Sequence, residues 1–200
     1  MMQKFTSLLT VLFILVLAGC GSPYVPPRAN PFDAPERPEV VLETSMGNIY
    51  LELYDEQAPK SVENFLRYVD EGYYNGLIFH RVVDDHLIQG GGFDEDLQRK
   101  ETYDPIVNEA SEKISNIRGS IAMARTEEPD SATSQFFINV GNNFGFDYRS
   151  KSSPGYAVFG RVIRGIDVCD QISDSRTTSR NGYDEVPVTP VYIIRAYRKN

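Results

Sequence analysis

At 200 residues, with 41% apolar and 24% charged side chains, the chain suits one ordinary domain with a packed core and argues against wholesale disorder. A formal charge of −8, from 20 basic and 28 acidic residues, argues against general binding to DNA or RNA, which needs a cationic face to release counterions. Two cysteines, Cys20 and Cys169, exclude a disulfide-rich scaffold, and two histidines allow a four-ligand zinc site only if all four side chains converge.

The chain opens with Lys4 and then an uncharged run, Phe5 to Leu17. Thirteen residues are too few for a spanning helix, which needs about 20, but they fit the apolar region of a secretory signal. The run closes on Leu17-Ala18-Gly19-Cys20, which resembles the bacterial lipoprotein lipobox. That resemblance implies cleavage before Cys20, diacylation of its thiol and acylation of the new amine; the alternative is an ordinary secretory signal followed by a chance cysteine. Residues 21–38 then hold six of the twelve prolines, a composition that gives an extended, semi-rigid spacer. The expected division is a signal over 1–19, a lipid-anchored Pro-rich linker over 20–38 and a single domain over 39–200. The expected location is the bacterial cell envelope: the periplasmic side of an outer or inner membrane, or the outer face of a Gram-positive one.

In the domain, Val40–Thr44 and Ile49–Leu53 read as strands of a hairpin, joined by Ser45-Met46-Gly47-Asn48 with Gly47 free to take positive φ. Pro59 opens a helix. Val62, Phe65, Leu66 and Val69 give it one apolar face, and Gly72 stops it. Short β-rich runs follow at Leu77–Val83, Leu87–Gln89, Ser120–Ala124, Phe136–Val140, Ala157–Val162 and Val191–Ala196. A second short helix spans about Ile166–Ile172, where Cys169 reads as a small buried side chain. Such a pattern fits a mainly antiparallel barrel or sandwich with helical caps and does not choose between them.

Strand alternation places Phe79 and Arg81 on one face with His80 on the other, and Leu87 with Gln89 on one face of the next run. A buried unpaired guanidinium would be costly, so Arg81 and Gln89 either pair structurally or border a concave site. Gly90-Gly91-Gly92 lacks the Lys-Ser/Thr of a phosphate loop, and Asp94 would repel phosphate; a tight bend is expected. His80 and His86 are six apart with no helical metal motif, and no serine sits in a G-x-S-x-G turn.

Phe79-His80-Arg81-Val82-Val83, Leu87-Ile88-Gln89-Gly90-Gly91, Ser134-Gln135-Phe136-Phe137-Ile138 and Val158-Phe159-Gly160 together resemble the cyclophilin family of peptidyl-prolyl cis-trans isomerases. The resemblance runs from about Val40 to Ala196. Arg118-Gly119-Ser120-Ile121-Ala122-Met123-Ala124 and Asp130-Ser131-Ala132-Thr133-Ser134-Gln135 look like its bacterial periplasmic branch. It implies a closed eight-stranded antiparallel β-barrel capped by two α-helices. It assigns Arg81 as the catalytic arginine and Gln89 as the glutamine that hydrogen-bonds the substrate backbone. Phe79, His86, Leu87, Phe137, Phe146 and Tyr156 then belong to the substrate pocket, and Ala124 and Gln135 to the groove. No cofactor or metal is implied; the partners are unfolded or extended proline-containing polypeptides and, through the lipid, a membrane, with a monomer expected. The sequence departs from the family at His86, where a phenylalanine is usual, and at Gly145, where a tryptophan or phenylalanine is usual and Phe144 or Phe146 would have to substitute. Tyr156 replaces a histidine of many eukaryotic members, and Arg125 an asparagine. These changes keep a second reading open, a peptide-binding chaperone module with weak or lost isomerase activity.

Overall fold

The structure, a computed structural model, describes residues 37–199; the expected signal, Cys20 and most of the linker lie outside them. Strands β1 (Glu39–Thr44) and β2 (Gly47–Leu53) form the expected hairpin, with Gly47 at φ 133° and the Thr44 hydroxyl donating to the Gly47 carbonyl at 2.6 Å. Helix α1 (Pro59–Asp70) buries Val62, Phe65, Leu66 and Val69, the apolar face read from the sequence. It has no acidic residue in its first turn. Glu109 substitutes from 48 and 49 residues away, accepting from the backbone N–H of Lys60 at 2.9 Å and of Ser61 at 2.7 Å. A carboxylate on unsatisfied amides at the positive end of a helix stabilises it.

The remaining elements are β3 (Phe79–Val83), β4 (Leu87–Gly90), β5 (Ser120–Met123), β6 (Phe136–Asn139), a single 3-10 turn (Phe144–Phe146), β7 (Val158–Arg164), α2 (Ile166–Ser173), β8 (Thr177–Arg180), β9 (Tyr183–Pro187) and β10 (Ile193–Arg198). Eight strands form one antiparallel sheet in the order β10-β1-β2-β7-β5-β6-β4-β3, and β8 and β9 form a separate hairpin.

The expected closed barrel is corrected to a curled, open half-barrel. Strands β3 and β10 are its edges, and only Ile78 and Tyr192 bridge them. A few backbone bonds flank that bridge: Phe79 N–H to Val191 at 2.9 Å and Ile193 N–H to Leu77 at 2.7 Å. The ladder cannot lengthen because the chain reaches β3 from a turn ending at Gly76 and enters β10 from Pro190, which has no N–H to donate.

The curl encloses the main core, in which Phe65, Tyr68, Tyr74, Phe79, Phe136 and Phe159 are fully buried. Helix α1 packs against β7 and β10, and α2 against β2, β3 and β4. Cys169 is the small buried side chain expected; desolvation pushes its thiol up to about 12, leaving it inert. On the outer face of the sheet a second cluster forms, around Leu87, Ala122, Phe137 and Val158.

Candidate active site

Cross-strand register builds the site. Arg81 on β3 lies opposite Gln89 on β4, Gln89 lies opposite Phe137 on β6, and Phe137 lies opposite Ala122 on β5. Directly opposed residues share a face, so these four form a row across the outside of the curl. Two positions further along β4, Leu87 joins the same face and packs with Phe137.

One sequence-based expectation fails here. Phe79 does not share a face with Arg81. It pairs with Gly90 while Arg81 pairs with Gln89, so two steps on β3 match one on β4 and His80 is the extra residue of a bulge. The bulge turns Phe79 into the enclosed core, fully buried against Phe136, where no substrate reaches it. It also lets His80 and Arg81 border one hollow, which strict alternation forbids.

Beside the row stands an aromatic box. The ring of Phe146, from the 3-10 turn, lies 5.3 Å from His86, 5.6 Å from Phe137 and 5.1 Å from Tyr156, and Phe137 and Tyr156 are 5.6 Å apart. Leu87 and Ala124 pack against the same rings. So His86 packs among these rings, and the aromatic side chain here comes from Phe146; a β-carbon on Gly145 would meet open space. Phe144 points away, 55% exposed. Arg125 lays its guanidinium 4.5 Å over the Tyr156 ring and donates to the Gly155 carbonyl at 3.0 Å.

Polar groups edge the row. Gln89 Nε2 donates to Gln135 Oε1 at 3.0 Å, fixing both amides. The triple glycine does more than bend the chain. A β-carbon on Gly92 would lie 2.6–2.7 Å from Cγ, Cδ and Nε2 of Gln135. Gly92→Ala is therefore expected to displace Gln135, release Gln89 and lower kcat/KM by about tenfold with the fold retained, measured by peptide isomerisation and a thermal melt.

His80 is buried 4.6 Å from the Phe93 ring, and its Nδ1 has no hydrogen-bond partner among the described residues. Burial, with the Arg81 charge second, lowers its pKa from 6.5 to about 4. The unfolded chain binds this proton from pH ~6.5 downward, whereas the folded chain refuses it until pH falls to about 4. The stability is thus fully present above that range and lost on acidification through it, by about 3 kcal/mol. Unfolding free energies from urea titration should fall between pH 7 and pH 4 for the wild type, and His80→Asn should fall by about 3 kcal/mol less.

Beneath the box lies a buried polar cluster that sequence patterns do not single out. Asn116 and Asn139 are fully buried, with Asn143 nearly so. Asn143 Nδ2 donates to the His86 carbonyl at 2.9 Å and to Asn139 Oδ1 at 2.6 Å. Asn116 Nδ2 donates to the carbonyls of Phe146 at 3.2 Å and Tyr156 at 3.3 Å. The backbone carbonyls of three box residues are thus held from below. Glu185 on β9 was equally hidden; its Oε2 accepts from Arg81 Nε at 2.8 Å. Nothing local marks a partner 104 residues away.

A family model for cyclophilin type peptidyl-prolyl cis-trans isomerase/CLD matches residues 39–198. The chain belongs to the cyclophilin-type peptidyl-prolyl cis-trans isomerase family. Peptidyl-prolyl cis-trans isomerase A of Dickeya dadantii is 50% identical over 162 residues, covering 81% of this chain and 85% of that one. Isomerase cyp18 of Streptomyces antibioticus is 54% identical over 156 residues, 77% of this chain and 94% of that one. Isomerase B of Escherichia coli is 45% identical, covering 77% and 95%. By these cyclophilin relatives the chain is an enzyme of the peptidyl-prolyl isomerase class. Among solved structures, a Cryptosporidium parvum cyclophilin superposes with TM-score 0.69 at 23% identity, covering 82% of this chain and 98% of that one, a likeness of fold. A second crystal structure of that protein was obtained in the presence of the dipeptide Ala-Pro.

Proposed function

We propose that this cyclophilin accelerates rotation about X–Pro bonds in extended polypeptides, with the proline ring in the aromatic box and Arg81 beside the rotating amide. The observation that carries this is the row Arg81–Gln89–Phe137 across three strands, which sets a guanidinium and an amide next to a cluster of apolar and aromatic side chains.

The chemistry needs no more than that. Amide resonance sets a rotational barrier of roughly 18–20 kcal/mol, and uncatalysed isomerisation takes tens of seconds. In the twisted amide the nitrogen becomes pyramidal and regains its lone pair. A donor aimed at that nitrogen binds the transition state more tightly than either ground state, which is the condition for catalysis. Arg81 is charged at any relevant pH and exposes 43% of its side chain. Gln89 and Gln135 offer amide groups to the substrate backbone, and Ala124 leaves room for it. Lowering the barrier by about 7 kcal/mol would accelerate rotation about 10⁵-fold.

The test is the cis-to-trans relaxation of a short proline peptide with and without the full chain. Acceleration that saturates with peptide supports isomerase function. His86 favours the second reading, a peptide-holding module, because an imidazole fills less of the wall than a phenyl ring and costs more to dehydrate. Binding of the peptide without acceleration would establish that reading instead.

We also propose a place of work at the bacterial envelope membrane, on proteins folding there, supported by the apolar run, the Leu17–Cys20 motif and the Pro-rich spacer. One acyl chain anchors weakly, whereas lipoprotein processing at Cys20 would supply three. The protein should fractionate with membranes, and Cys20→Ser should release it or block its maturation. A wholly soluble wild type with an unmodified N-terminus would overturn this.

A further inference from the structure

The hairpin of β8 and β9 carries a distortion at one position. Thr178 pairs with Val186 and Arg180 with Tyr183, so Asp184 and Glu185 together oppose the single residue Ser179. This is a β-bulge, a device that re-aims a side chain. Glu185 sits in it at φ 61°, in the left-handed region that glycine occupies without strain and a side chain does not. Ser179 Oγ donates to Asp184 Oδ1 at 2.6 Å, closing the bulge.

The hairpin is held as a wall. Val186 is buried with Ile78, Phe93 and Leu97. The Tyr183 ring lies 5.1 Å from Phe93, and at the tip Arg180 bonds the Glu95 carbonyl and Asn181 the Asp96 carbonyl. The strained backbone delivers the Glu185 carboxylate to Arg81 Nε at 2.8 Å, in a hollow of about 580 Å³ that His80, Gln89, Arg99 and Gln135 also line. With 43% and 39% of their side chains exposed, the two form a pair of a kind that adds little to stability, so stability does not account for the strain.

We propose that Glu185 is a positioning residue for the isomerisation. By holding Nε it fixes the plane of the Arg81 guanidinium and leaves the two Nη groups, which have no partner among the described residues, turned to substrate, one of them to donate to the prolyl nitrogen. A cation held this way has fewer rotamers to lose when peptide binds, and its nearby counter-charge lessens the cost of covering it. The inference rests on the reading of Arg81 as the catalytic donor.

The test measures kcat, KM and thermal midpoints of the full chain on one proline peptide for the wild type, Arg81→Ala, Glu185→Ala, Glu185→Gln and the double alanine variant. Glu185→Ala should lower kcat about tenfold with KM changed less than about twofold. Glu185→Gln keeps an acceptor for Nε–H and should lose less, which also carries the test if the alanine variant does not fold. In the Arg81→Ala background Glu185→Ala should cost nothing further, because it acts only through Arg81. Unchanged or raised kcat in Glu185→Ala, or an equal loss in the Arg81→Ala background, overturns the inference and leaves the reading of Arg81 standing. Unchanged activity in Arg81→Ala overturns both.

Discussion

Replacing Arg81 by alanine is expected to lower kcat/KM by about 10²–10³, or roughly 3–4 kcal/mol of transition-state stabilisation. The loss should fall on kcat, since the guanidinium meets a lone pair that exists only in the twisted amide. The fold should survive. Arg81 is half-exposed on an edge strand, and the one ion pair it makes among the described residues, with Glu185, is of the kind worth at most about 1 kcal/mol. Arg81→Lys should not restore activity, for two reasons. A point charge lacks the planar fork that bonds a carboxylate through one N–H and a substrate through others. A lysine amine would moreover be drawn to the Glu185 carboxylate and away from the amide. Peptide isomerisation, with melts on the same samples, decides it; alanine-variant activity equal to wild type would refute the assignment of Arg81.

Local patterns carry most of the fold and only part of the site. Helix α1 follows from the spacing of Val62, Phe65, Leu66 and Val69, and the first hairpin from Gly47. The β8–β9 hairpin escapes the same reading because Thr177-Thr178-Ser179-Arg180 is exposed on both faces and shows no alternation. A signal was nonetheless present: Asn181-Gly182, which turns with φ of 53° and 84°, is the dipeptide that two-residue hairpins favour. The bulge at His80 is legible only from the pairing of β3 with β4, so alternation alone misplaced Phe79. The closing gap between β3 and β10 is likewise a matter of how long a non-local ladder runs. Arg81 and Gln89 were visible as polar groups within apolar strands. Glu185, Asn116 and Asn143 were not, because each looks like an ordinary loop or turn residue until the chain brings it to its partner.

The largest effect on stability is expected from Asn116, which touches no substrate. Its side-chain amide donates to the Phe146 carbonyl, the Tyr156 carbonyl and Asp147 Oδ1, and its oxygen accepts from Asn139 Nδ2 at 3.2 Å. In Asn116→Ala the Phe146 carbonyl keeps a donor, the Tyr156 N–H at 2.8 Å, and Asn139 keeps Ser120 Oγ at 2.8 Å. The Tyr156 carbonyl keeps none among the described residues. A stranded buried acceptor costs about 1–3 kcal/mol, and the lost bonds and emptied volume bring the expected total to about 3–4 kcal/mol by urea unfolding. Because the box is held through these carbonyls, KM should rise several-fold, about 3–10, while kcat changes little, since Arg81 and Gln89 sit on other elements. Asn116→Asp, of the same shape, sharpens the argument. It replaces a donor by an oxygen facing two carbonyls and the Asp147 carboxylate, so at neutral pH it should be at least as damaging as alanine. Protonation of the new carboxyl restores one donor, so part of the loss should return on acidification, against the trend that His80 imposes on the wild type. An Asn116→Ala chain as stable as the wild type, with unchanged KM, would show that the box stands without this support.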